Sequence, residues 1–132
     1  MSGASDSSYP AAWREVARRD WQRVRMILAS GDAELAAYLL QQCLEKYLKA
    51  YLLERGWRLR RTHLLTSLLD EAVESERSLE TYRALCERVS GYLLVGRYPL
   101  LGVTPIDPVR VAGDVEEARR MIDALYTGED LA

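Results

Sequence analysis

The chain has one histidine, two cysteines and no run of about 18 apolar residues. Without such a run no helix crosses a bilayer, and the opening residues, MSGASDSSYP, lack the basic and apolar regions of a signal peptide. A cytoplasmic protein with no membrane contact is expected. One histidine and two separated cysteines give no zinc-site spacing, so neither a structural metal nor a cofactor is called for. Cys43 and Cys86 both fall on apolar helical faces, where an unpaired thiol behaves as a small buried hydrophobe, and no disulfide is needed. Also absent are glycine-rich or proline-rich tracts longer than a loop, internal repeats, β-alternation and hairpin signals. With 132 residues and 48% apolar content, the chain reads as one all-α domain over 13–126. A flexible tail over 1–12 precedes it, and a short C-terminal tail over 127–132 follows.

The longest patterned stretch is AELAAYLLQQCLEKYLKAYLLER, from residue 33 to 55. At 100° per residue, Ala36, Leu40, Cys43, Leu44, Tyr47, Leu48, Ala50 and Tyr51 share one half of a helix, and Tyr38, Gln41, Gln42, Glu45 and Lys49 the other. Lys46 lies on the boundary. An apolar half-cylinder is wider than the stripe of a surface helix, so this helix is expected to touch two or more others.

Around it the pattern predicts a first helix from Trp13 to about Ala29, with Trp13, Ala17, Trp21, Val24 and Leu28 inward and Arg14, Arg18 and Arg25 on the opposite side. Asp20 breaks that pattern by lying inside the apolar sector, where a carboxylate needs a partner; Lys46 and Arg97 are the candidates. Ser30-Gly31-Asp32 ends this helix and offers Asp32 as the next N-cap. The basic loop Trp57–Arg61 leads to Thr62, a cap for a helix from His63 to Val73. Ser78 is the cap expected for a fourth helix burying Leu79, Tyr82, Leu85, Cys86, Val89 and Leu93. Residues 97–113 hold three of the four prolines and read as a loop, after which Asp114 caps a last helix with Val115, Ala118, Ile122 and Leu125 inward. The sum is an antiparallel up-and-down four-helix bundle with an additional C-terminal helix.

The net charge of −2 divides unevenly. Residues 13–63 carry eleven basic against six acidic side chains, and 64–132 seven against thirteen. Such a dipolar molecule steers an anionic ligand to one side or attracts its own copies.

Three places resemble the HEPN family: Asp20-Trp21; the run Gln42-Cys43-Leu44-Glu45-Lys46-Tyr47-Leu48-Lys49-Ala50 with Arg61-Thr62-His63 beyond it; and Arg97-Tyr98-Pro99. The resemblance covers roughly residues 13–126. It implies a helical bundle, commonly a homodimer, linked to nucleotide or RNA handling and often acting beside a minimal nucleotidyltransferase as a two-component, toxin–antitoxin-like system. Some members are toxins that cleave RNA with an Arg, four to six residues and a His at the end of the fourth helix. This sequence departs from that pattern, since its one histidine is His63 and none occurs in 98–132. The departure removes the side chain whose pKa suits proton transfer at neutral pH.

A non-catalytic binding module is therefore expected, with Arg97 and Tyr98 as ligand anchor, Lys46 and His63 as further contacts and Asp20 as a supporting buried acid. Each has a plainer reading. Arg97 pairs equally well with Asp20, and His63 can be a hydrogen-bonded helix-terminal residue. Lys46 and Lys49, with Gln42 and Tyr38, either receive a base and its phosphate or are solvated, Glu45 and Lys49 then forming an i,i+4 surface pair. A literal Arg-x4-His at Arg58–His63 leaves an RNase toxin as the alternative, and a purely structural dimerisation protein as another. Trp13, Trp57 and Tyr98 are of the type that lines dimer or partner surfaces.

Overall fold

The computed structural model describes residues 9–62, 64–95 and 106–132. They form five α-helices and no strand: α1 (Pro10–Ala29), α2 (Ala33–Glu54), α3 (Leu65–Ser75), α4 (Arg83–Val95) and α5 (Pro108–Leu125). A 3-10 helix over Arg77–Tyr82 leads into α4. No helix among the described residues is long and apolar enough to cross a membrane.

Glycine ends the first two helices, and the hydrogen bonds say why. Gly31, at φ +96°, lets its own N–H reach the Leu28 carbonyl and the Asp32 N–H reach Ile27, closing α1 by a Schellman turn. Gly56, at φ +85°, does the same for α2, with Trp57 N–H donating to Leu52. Asp32 then caps α2 by accepting from the Leu35 N–H at 3.0 Å. The tight turn lays α1 and α2 antiparallel: Trp13 meets Lys49, Ala17 meets Cys43 and Asp20 meets Lys46. α5 runs antiparallel to α1 in turn, Arg14 lying over Tyr126 and Arg119 over Trp21. α2 touches α1, α3, α4 and α5, which makes it the axis of the bundle.

All eight residues of α2 expected to face inward are buried. So are Trp13, Ala17, Trp21 and Val24 of α1, Leu65, Leu68, Leu69 and Ala72 of α3, and Val115, Ala118, Ile122 and Leu125 of α5. Three boundaries differ from the sequence reading. Ser78 does not cap a long fourth helix: Glu76 caps the 3-10 turn by accepting from the Ser78 N–H, and the α-helix proper begins at Arg83. Thr62 takes only a 3.4 Å bond from the Leu64 N–H, and α3 starts at Leu65 without a side-chain cap. α5 starts at Pro108, capped by Asp107 accepting from the Val109 N–H at 3.0 Å. A proline at the first helical position forfeits an N–H that has no intrahelical partner anyway, so Pro108 opens the helix where the sequence reading let it oppose one.

Residues 127–132, set apart as a tail by sequence, lie against α1, α2 and α5. Arg14, Trp21 and Arg25, seven and four apart, stand on one ridge of α1, so the half-buried Arg14 and the exposed Arg25 flank the apolar face and do not lie opposite it. Arg14 holds the Glu129 carboxylate in a fork, at 2.6 Å for the closer bond, and Tyr47 donates to the same group at 2.9 Å. Trp21 Nε1 and Arg25 donate to the Leu131 carbonyl at 3.1 and 2.9 Å.

Trp21 is fully buried and its indole N–H is satisfied, so Trp21→Ala removes both packing and a hydrogen bond. A loss of about 3–5 kcal/mol is expected, read as a lower denaturant midpoint at unchanged slope. Burial by itself raises the Glu129 carboxyl, but the bonds from Arg14 and Tyr47, with Arg18 nearby, outweigh it and hold the group below the ordinary carboxylate range. A lowered folded pKa stabilises above the unfolded value of about 4.3, and that contribution fades as pH falls through the folded value. Glu129→Gln should therefore melt below the wild type at pH 7, with the gap closing below about pH 4; a gap independent of pH would contradict this.

Candidate functional site

The chemistry gathers on the side of α2 that the sequence marks as polar. Asp20, 2% exposed on α1, receives the Lys46 ammonium at 2.5 Å and the Arg23 guanidinium at 3.3 Å. This answers the question Asp20 poses in the sequence: its closest partner is Lys46. The Lys46 side chain remains 19% exposed, so it reaches the surface with its charge already engaged.

One ridge over, a second polar line runs at four-residue spacing. Gln42 donates to Gln41 at 2.6 Å, Gln41 to Glu45 at 3.3 Å, and Lys49 to the other Glu45 oxygen at 2.9 Å. The Lys49 ammonium also stands 5.0 Å from the Trp13 ring centroid, a cation–π contact in a dry setting. Gln41, Glu45 and Lys49 are 0%, 3% and 3% exposed. The surface ion pair expected at Glu45 and Lys49 is thus a sealed one, and Trp13, buried at 2%, is a lid on that pair and not a partner-facing aromatic. The helical wheel gives the direction of a side chain but not how many neighbours surround it, and α2 is packed against four other helices.

His63, Arg97 and Tyr98 lie outside the described residues. Arg58 is exposed on the α2–α3 loop. In the same loop Trp57 is half-buried, with Arg60 5.6 Å from its ring centroid and its buried Nε1 without an acceptor among the described residues. Cys43 is wholly buried and donates to the Ala17 carbonyl at 3.3 Å; burial pushes its thiol well above the ordinary value. Cys86 is pushed up to about 12, again chiefly by burial. Neither thiol has the character of a nucleophile at neutral pH.

Sequence reasoning missed Asp114, read as a cap. It is 4% exposed inside α5, accepting from Tyr92 at 2.6 Å and Arg88 at 3.0 Å, while Arg88 also reaches Glu117. The overlooked signal is Asp107-Pro108, a cap and first-position pair that frees Asp114 for the helix interior.

An all-α bundle whose axial helix carries buried acid–base pairs, one of them bridging to the first helix, defines the class structurally. The HEPN domain family model matches residues 11–125, and the chain belongs to that family. Comparison with curated proteins and with solved structures finds no match.

The buried pair predicts a distinctive mutational pattern. Glu45→Ala removes the acceptor of the buried Lys49 ammonium and Lys49→Met takes that cation away from the Glu45 carboxylate, each costing about 3–5 kcal/mol, where a surface pair would cost a few tenths. Glu45→Leu with Lys49→Met removes both charges and should cost far less than the sum of the single changes. Urea unfolding of the four proteins checks it, and additive losses would show that the two groups do not act as a pair.

Proposed function

We propose that this chain is a non-catalytic HEPN-type binding module, homodimeric and cytoplasmic, that engages a nucleotide- or RNA-bearing ligand and works beside a minimal nucleotidyltransferase in a two-component, toxin–antitoxin-like arrangement. Arg97, through its planar fork, and Tyr98, through its ring, are the anchor. The observation that carries the reading is the position of the one histidine. His63 precedes α3, whereas the RNA-cleaving pattern requires a histidine four to six residues after the arginine that follows the fourth helix, and 98–132 contain none. An arginine alone grips a phosphate but moves no proton at neutral pH.

The Lys46 ammonium is bonded to the buried Asp20 carboxylate, so Lys46→Ala would leave that group only the longer contact from Arg23 and lower stability whatever the ligand does. Lys46 therefore makes a poor probe of binding, and Arg97 a better one.

Arg97→Ala should weaken binding of ribonucleotides, screened as mono-, di- and triphosphates by equilibrium dialysis, by at least about tenfold, the worth of one charge-assisted contact of about 1.4 kcal/mol. Its melting temperature should stay near that of the wild type. A large fall in melting temperature with binding intact would defeat the assignment. Growth arrest on induction, relieved by His63→Ala, would instead favour a toxin using Arg58 and His63.

A further inference from the structure

The segment that follows α5 is held at three points within three residues. The Glu129 carboxylate takes the Arg14 fork and the Tyr47 hydroxyl. The Leu131 side chain is buried, at 7% exposure, while Asp130 between them faces solvent. The Leu131 carbonyl accepts from Trp21 Nε1 at 3.1 Å, Arg25 at 2.9 Å and Arg119 at 3.5 Å. A carbonyl oxygen has two lone pairs, so three donors, two of them guanidinium groups, exceed what one acceptor uses. Alternate side chains taken inward and a main-chain carbonyl gripped between them is how a groove reads a peptide.

The surroundings let the segment leave. A hollow of about 420 Å³ bordered by Pro10, Arg18 and Glu54 flanks it on one side, and one of about 710 Å³ bordered by Tyr82, Arg120 and Asp123 on the other, Glu129 lining both. Gly128, at φ +82°, supplies a turn between α5 and the docked residues. The cleft presents Arg14, Arg25 and Arg119 toward one acid and one carbonyl, so its charge complements an acidic peptide.

We propose that the cleft between α1 and α5 is a peptide-docking groove for a partner segment carrying an acid, one spacer residue and a leucine, and that Glu129–Leu131 fills it in cis as a built-in competitor. The short tether gives the cis segment an effective concentration of about millimolar, so a partner must outbid it or find it displaced.

The probe is a fluorescent peptide of residues 127–132, TGEDLA, amidated at its C-terminus, titrated by anisotropy against full-length chains. The variant Glu129→Ala with Leu131→Ala should bind it at least tenfold more tightly than the wild type. Adding Arg14→Ala and Arg25→Ala should abolish that binding, as should alanine at the acid and leucine positions of the peptide. No binding to the folded variant, or equal binding to the wild type, overturns the proposal. Should the variant fail to fold, hydrogen exchange of the wild type decides: amides of 129–132 exchanging well ahead of those in the middle of α1 support a detachable segment, and exchange at the same rate as α1 refutes it.

Discussion

Packing α2 against four other helices leaves little of its circumference for water, and the polar residues it carries must be answered largely from inside the molecule. Desolvating a lone carboxylate or ammonium costs several kcal/mol, which an aliphatic neighbour cannot return. The solution is pairing at the helical spacing: Glu45 with Lys49 along α2, and Asp20 with Lys46 across to α1. Neither pair is a strong source of net stability, because well-packed apolar residues of similar volume would do as well. Their consequence is geometric. A slide of α1 along α2 by one turn would separate the buried Asp20 carboxylate from Lys46, so this pair makes the wrong register costly, whereas Glu45 and Lys49, both on α2, would stay together.

The same argument extends outward through Tyr47. Its hydroxyl is carried into the interior by the apolar face of α2 and finds the Glu129 carboxylate, which Arg14 holds from α1. Burial chiefly, with the bond to the Glu129 carboxylate adding to it, pushes the Tyr47 phenol well above its ordinary value, so it donates throughout the physiological range. Tyr126, packed 6.0 Å from Tyr47, repeats the device by donating to Glu54 at the end of α2. α1, α2 and the segment after α5 are thus tied through two phenols that stay protonated near neutrality.

The sequence made the apolar half of this design readable and hid the ionic half. Period 3.6 placed every inward residue of α2 correctly because hydrophobic burial depends only on direction. Whether Glu45 and Lys49 meet water depends on neighbours brought from distant parts of the chain, which no local pattern encodes. Asp20 was legible for the opposite reason, since a charge inside an apolar stripe contradicts its surroundings and demands a partner. Asp114 was lost to a competing rule: the prolines of 97–113 were weighted as helix breakers, and Pro108 at a first helical position is a helix starter. Glu129 and Leu131 gave no signal at all, because six residues after a helix carry no periodicity. Of the proposed site residues, the supporting acid Asp20 and the ligand contact Lys46 are bonded to each other, while Arg97, Tyr98 and His63 belong to stretches outside those described.

These placements bear on where an anion could be held. An ammonium at 2.5 Å from a carboxylate has most of its field cancelled a few ångströms away, and Lys49 is cancelled by Glu45 in the same way. The lysines of α2 therefore contribute little attraction to a phosphate, although they supply both of the chain's Lys residues. Among the described residues, Arg14 is engaged by Glu129, Arg60 by Glu71 and Arg83 by Asp70 and Glu80, and Arg88 by Asp114 and Glu117. The excess of basic charge in residues 13–63 thus shrinks once internal partners are subtracted.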